Sequence, residues 1–463
     1  METNRKAGMT LCIDEIASDE RLCWIPATDD IAGLCEHASQ LSSTKFGKSL
    51  DTVRAVAEAV RSGRIHVGQE IMVAAFARND ENDYGAKPVL ILPTCKRGSY
   101  EDAALIWEKL RQAWRLSPYG EVKHGKIWSL ASDGDPKRRP ALYLHCMVHE
   151  IRPEDGLFQQ DLDWKHCFKR LCKLLCTREG ILLNGTYINK TLLSSWLGRL
   201  MDVDWSDGSL YSLLNPLSSS SQEISALLDP KDPQDVPRAI KLLTLIPTLR
   251  KLDRVDMNPS ELQTHSTLSL LGEMLEALVK PFIEPAQSLS QQITSLAKFA
   301  FILCALFIQH GSAFMPFHLY SDLQCMIRTA VFRVAHTKLL DEDRNVYLCL
   351  LGDDVLEVLF GRIRMIGGHS PNVAADEFCN RAAGAVRLDL IFQDYPKWER
   401  SARRLMLKRG RDADHLSPRH WKGELSARSC NLLRCWDTGI SEATAALAKY
   451  GHSTTNFDTI FSN

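Results

Sequence analysis

The sequence has no long uninterrupted apolar stretch. Its longest, Phe299 to Ile308, is about half of what a bilayer crossing needs, so it predicts a buried helix and no membrane partner. The opening residues, METNRKAGMTLCIDEI, hold too short an apolar run, broken by acids, for a secretory signal, which argues against export. Net charge is missing as well: 56 basic residues face 57 acidic ones, so nucleic-acid affinity would have to come from local clustering. The fourteen cysteines include no C-x-x-C pair. Cys167, Cys172 and Cys176 lie near His166 at spacings open to zinc, but KHCFKRLCKLLC reads better as an amphipathic helix with small buried thiols in a reducing compartment. There is no internal repeat and no GxxxxGK[ST] loop.

What is present is a chain of 463 residues, 45% apolar, long enough for a large core and two or more lobes. Its first third carries strand-length runs at Met9 to Ile16, Gln69 to Ala77, Ala86 to Thr94 and Lys126 to Ala131. Residues 20–34 suggest a hairpin, Leu41 to Ser62 a loop and weak helix, and Glu101 to Trp114 a helix. This order suits a mixed sheet covered by helices. The interval from Asp135 to Asp163 looks short for a further helix and strand, which predicts an incomplete sheet. Beyond Asp161 the periods are helical up to about Asp341, at Trp164 to Cys176, Lys190 to Met201, Ile240 to Leu252, Leu262 to Leu278, Ile293 to Gln309 and Leu319 to Leu339. Asn215 to Pro237, rich in Ser, Pro and Asp, reads as a flexible loop. The expected domains are 1–160 and 341–395 as one α/β domain, 161–340 as an all-α insertion, and 396–463 as a basic tail. From Lys397 to Arg434 eleven Lys or Arg stand against four Asp or Glu; Arg403, Arg404, Lys408 and Arg409 are its candidate DNA contacts.

The stretch LGDDVLEVLFGRIRMIGG, Leu351 to Gly368, predicts an amphipathic helix. At about 100° per residue Val355, Leu356, Leu359, Phe360 and Ile363 form one apolar stripe, and Asp354, Glu357, Gly361 and Arg364 share the other side. Asp14 sits inside an apolar strand run, where a lone carboxylate is costly and calls for a partner. Asp133 opens the turn after the strand KIWSLA, a usual place for a functional side chain. Three or four such carboxylates brought together would hold two divalent metals about 4 Å apart and act on a phosphodiester. No short motif fixes their spacing.

The blocks CIDEI, SDG after an apolar strand, DWKHCFKRL and DDVLEVLFGRIRMIGGHSPN resemble, in this order, those of the P-element and THAP-type transposases, including related fungal reading frames. The last block, with its LFGxIR run and the turn Ser370, Pro371, Asn372, is the most specific; the D-x-x-H-x-x-K of Asp163, His166 and Lys169 is next. The resemblance implies an RNase H-like mixed sheet interrupted by a large all-α insertion domain. It also implies a DDE site of Asp14, Asp133 and Glu357 on Mg2+ or Mn2+, with Asp354 as an auxiliary metal ligand and Arg364 on a DNA phosphate. DNA is the implied substrate, the nucleus the implied location, and self-association a companion expectation. Family members of this kind bind GTP through the insertion, which makes Asp163, His166 and Lys169 nucleotide-binding candidates. The family's Arg-Asn after that block is replaced here by Cys172 and Lys173, and the zinc-coordinating module of animal members does not precede the first strand. A truncated or domesticated copy is therefore expected, either a cut-and-paste transferase or a catalytically silent protein that binds DNA or another protein. A helical scaffold with no nucleic-acid role is the third reading.

Overall fold

The structure is a computed structural model, and it describes residues 8–35, 45–47, 49–78, 80, 83, 85–146, 159–202, 221–229, 235–368, 372–398 and 418–452. The chain divides into two compact units, residues 1–163 with 352–401, and residues 164–351 with 402–463.

The first unit contains strands β1 (Met9–Ala17), β2 (Cys23–Ile25), β3 (Asp30–Ala32), β4 (Glu70–Arg78), β5 (Lys87–Thr94), β6 (Ile127–Ser132) and β7 (Gln159–Leu162). Its helices are α1 (Leu50–Arg61), α2 (Tyr100–Leu116), α3 (Glu121–His124) and α4 (Arg138–Cys146). Five strands form one mixed sheet in the order β5-β4-β1-β6-β7. β1 runs antiparallel to β4, and β4 to β5, whereas β1 with β6 and β6 with β7 are parallel. Two short strands, β2 and β3, pair as the expected hairpin.

A central strand is buried on both faces, which is why MTLCIDEIA reads as a nearly continuous apolar run. Its period of two still divides the side chains between two cores. Leu11 and Ile13 join Trp107 of α2 and Ala141 and Leu142 of α4 on one face. Cys12 and Ile16 face the other, with Leu356, Leu359, Phe360 and Phe378. The interval 135–163 does hold a helix and a strand, α4 and β7. β7 thus adds a fifth strand where the sequence suggested a gap: QQDL lacks an apolar alternation, and only the ladder with β6 makes it a strand.

The second unit holds the hairpin β8 (Ile181–Leu183) and β9 (Thr186–Ile188) and a run of helices. These are α5 (Trp164–Leu175), α6 (Lys190–Gly198), α7 (Ser221–Leu228), α8 (Val236–Leu245), α9 (Pro259–Ile283), α10 (Leu289–His310) and α11 (Phe317–Leu340). Capping boxes start α9 (Asn258 with Glu261) and α10 (Ser288 with Gln291). Leu289–Ala313 is long and apolar enough by composition to cross a membrane, yet Ile293, Leu296, Phe299, Leu303 and Leu306 are buried within the unit. Part of the expected 215–237 loop is α7, because Ile224, Leu227 and Leu228 fall on one face and are buried.

The chain returns to the first unit with α12 (Asp354–Ile366) and α13 (Ala375–Asp394). The expected basic tail contains α14 (Leu432–Lys449), which joins the second unit. Cys435, Gly439, Ala443 and Ala446 line its buried face. At Gly439 the backbone approaches α10 so closely that a Cβ would lie 2.5 Å from that of Ala297. Charge counted up to Arg434 hides this stripe of small residues.

Candidate functional site

The sheet register brings distant acids level. β1 and β6 pair Cys12 with Ala131, and β6 and β7 pair Ala131 with Asp161. Carried two residues further along three parallel strands, that register sets Asp14, Asp133 and Asp163 in one row. Neighbouring strands lie about 4.8 Å apart. All three share the sheet face that carries Cys12 and, above it, α12.

Helix α12 begins over this row. Gly352 has φ +100°, a left-handed conformation open to glycine, and a Cβ there would lie 2.8 Å from the Asp163 Cα. That turn delivers Asp353 as the N-cap residue, whose carbonyl accepts from the Leu356 N–H at 2.8 Å. Aspartate at this position ordinarily caps with its carboxylate. Here the side chain makes no cap bond; it is 1% exposed, and neither oxygen has a hydrogen-bond partner among the described residues. Glu357, one turn on, brings a carboxylate oxygen within 4.8 Å of one from Asp163.

Burial, and then the charges of Asp163, Asp14, Asp133 and Glu357, push the Asp353 carboxyl well above the usual carboxylate range. Its field therefore comes from each of the three sequence-chosen acids, Asp14, Asp133 and Glu357, together with Asp163. Asp14 rises to about 6, first through burial, while Arg138 pulls it down and Asp133 pushes it up. Burial likewise raises Glu15.

The Arg138 guanidinium enters this cluster. The Asp133 carboxylate accepts from the Asp135 N–H at 3.0 Å, and that of Asp135 accepts from the N–H groups of Lys137 and Arg138 at 2.8 and 3.3 Å, a double turn that starts α4. Arg138 then reaches back. Its Nη1 donates to the Asp14 and Asp133 Oδ1 atoms at 3.3 and 3.2 Å and to the Ile13 carbonyl at 3.1 Å, while Nη2 pairs with Glu15.

The neighbouring Asp163 and Glu357 carboxylates, with a buried, unbonded Asp353 that feels the charge of both, fit a hard divalent cation such as Mg2+ or Mn2+, which takes oxygen ligands. Asp353, Glu357 and Asp163 are the residues that would hold it. Asp353 was not singled out in the sequence, although its spacing of four from Glu357 puts the two on one helix face. The neighbouring Asp354 is half-buried at the first position of α12, and Arg364 is half-buried in its last turn. Asp163 precedes α5, on which His166 and Lys169 are half-buried in the second unit. Arg403, Arg404, Lys408 and Arg409 lie outside the described residues.

No family model matches the chain, and no curated protein does. Among solved structures it is similar to the Drosophila P element transposase strand transfer complex, with 13% identity and a TM-score of 0.54 over 83% of this chain and 78% of that one. At this identity the likeness is one of fold, and the fold of this chain is transposase-like.

Proposed function

We propose that the chain is a DNA transposase-like polynucleotidyl transferase of the DDE type, an RNase H-like domain split by a helical insertion, which cleaves and joins DNA phosphodiesters. The observation that carries this reading is the buried, unbonded Asp353 carboxylate beside Glu357 and the row Asp14, Asp133 and Asp163. Bound Mg2+ or Mn2+ would supply activation of a water or 3′-hydroxyl and stabilisation of the leaving oxygen. The chain's own work is positioning. Asp14 lies on β1, Asp133 and Asp163 directly follow β6 and β7, and the Gly352 turn leads into Asp353 and Glu357. The N-terminus of α12 contributes its positive dipole end to this crowd of carboxylates. Arg364, seven residues past Glu357 and so about 10 Å along the helix, offers a guanidinium to a neighbouring phosphate of the bound strand. The basic stretch from Lys397 to Arg434 adds sequence-independent attraction for DNA. A nuclear location and self-association accompany this reading. Any GTP site would draw on His166 and Lys169, one turn apart on α5.

A second reading, a catalytically silent transposase-derived protein that binds DNA or another protein, is favoured by one observation: Arg138 already pairs with Asp14, Glu15 and Asp133. Incubating the chain with supercoiled DNA and Mn2+ separates the two. Nicking that is lost in Asp353→Asn and in Glu357→Gln supports the transferase. DNA retained on the protein without nicking sinks it in favour of the silent form.

A further inference from the structure

Two exposed cations stand at the acidic end of the sheet. The register sets Ala17 of β1 level with Glu70 of β4, and Glu70 level with Thr94 of β5. The loop after β5 therefore leaves the sheet at the end where β1 and its parallel neighbour β6 deliver Asp14, Glu15 and Asp133. In that loop, residues 94–98 with the sequence TCKRG, Lys96 has φ +63°, a left-handed conformation that side chains seldom adopt outside functional or tight turns. Its ammonium pairs with Glu70 at 2.6 Å, and its carbonyl accepts from Lys137 Nζ at 2.5 Å. The bond to Glu70 raises the Lys96 pKa, and the charges of Glu15 and Asp135 add to the rise, so the loop lies within reach of the acids. Next to it, Arg97 Nη1 is 3.3 Å from His66 Nε2, which must accept because a guanidinium only donates.

The partners of Arg97 and Lys137 set them apart from the basic side chains around them. Arg54, Arg61, Lys87, Lys96 and Arg111 each pair with a carboxylate of the same unit, which cancels their charge. Arg97 and Lys137 are exposed and held by neutral acceptors, an imidazole and a carbonyl; among the described residues neither pairs with a carboxylate. Each is thus fixed in direction with its charge intact, which suits a charge-assisted bond to a phosphate oxygen. Lys137 also projects from the turn that begins at Asp133, one residue before the Arg138 that bonds Asp14 and Asp133. We propose that Arg97 and Lys137 are a two-point clamp on the backbone of a DNA strand passing the acidic row, each taking a phosphate beside the one that the acids address. A crowd of carboxylates repels DNA, and cations at its rim offset that repulsion where the strand has to approach. This rests on the DNA-binding part of the function proposed above and names contacts outside the basic stretch.

The test is binding of the full chain to a fluorescein-labelled DNA duplex in EDTA, read by fluorescence anisotropy over a series of salt concentrations, so that no metal takes part. Arg97→Gln and Lys137→Gln are each expected to weaken binding about eightfold near 0.1 M salt and to flatten the slope of log K against log salt by about 0.9, as one lost phosphate contact requires. The double variant should lose about twice that slope. Lys137→Arg, which keeps the charge, is expected to hold the slope. Lys109→Gln, exposed about 14 Å along α2 from its start, is expected to leave it unchanged. Thermal melts followed by circular dichroism identify variants that fold, and Arg97→Gln decides alone should Lys137→Gln not fold. A folded double variant with the slope of the unaltered chain, or equal flattening in Lys109→Gln, would overturn the clamp and leave the DNA reading standing. An unaltered chain that binds no DNA would remove both.

Discussion

Asp353 and Asp354 are neighbours of identical chemistry, and burial separates them. Asp353 is 1% exposed with neither oxygen hydrogen-bonded among the described residues, and Asp354 is half-buried one position later. A carboxylate held in this way destabilises the metal-free chain, because its charged form has lost water and gained like-charged neighbours. Asp353→Asn is therefore expected to raise metal-free stability by about 1–3 kcal/mol in a urea titration while abolishing Mn2+ binding, a trade of stability for function. A less stable Asn variant would mean that the carboxylate is a structural partner. Asp354→Asn should change Mn2+ affinity by less than about threefold by the same titration. In the sequence only Asp354 was singled out, because helical periodicity puts it on one face with Glu357, and the turn before the helix had no representation there.

That turn makes Gly352 the hinge on which α12 is aimed. Its φ of +100° and the 2.8 Å approach to the Asp163 Cα leave no room for a side chain. Gly352→Ala is expected to cost about 2 kcal/mol or more by chemical denaturation, since alanine is strained at positive φ, and to weaken Mn2+ binding at least tenfold. Unchanged binding would show that the start of α12 does not set the site. The helix itself was legible: Val355, Leu356, Leu359, Phe360 and Ile363 are buried as the apolar stripe requires. So were β1, β4, β5 and β6, whose runs are apolar because the sheet buries them. QQDL in β7 and the small-residue face of α14 were not, since each becomes regular structure only by pairing or packing with a distant partner.

Taken together, the acids make the first unit respond to pH in a direction opposite to ordinary carboxylates. Asp14 moves from 3.8 to about 6 and Asp353 moves up as well, so the folded chain holds protons that the unfolded chain has released. Stability from the Asp14 shift is fully present below about pH 4 and is lost as pH rises through about 6. For Asp14 the loss is about 3 kcal/mol at 1.36 kcal/mol per unit. Urea midpoints in EDTA should fall between pH 4.5 and 7, and the rise produced by Mn2+ should grow over the same window; a midpoint that climbs with pH in EDTA would contradict the buried cluster. For the basic stretch the measurement is salt dependence. Replacing Arg403, Arg404, Lys408 and Arg409 by Gln should weaken DNA binding and flatten the slope of log K against log salt by about 3 to 4, as four lost phosphate contacts require. An unchanged slope would take that stretch out of the DNA interface.

Local periodicity was enough to read strands in the first third, helices beyond it and the amphipathic α12, and a block resemblance picked out Asp14, Asp133 and Glu357, because each of these is written within a dozen neighbouring residues. Three facts about the site were decided only by the tertiary structure: that Asp163 stands level with Asp14 and Asp133, that a buried Asp353 feels the charges of all three, and that Arg138 lies between two of the acids. Strand register, burial and the distance between charges are set largely by segments far apart in the chain, and a carboxylate's energy depends on those distances rather than on its position in the sequence.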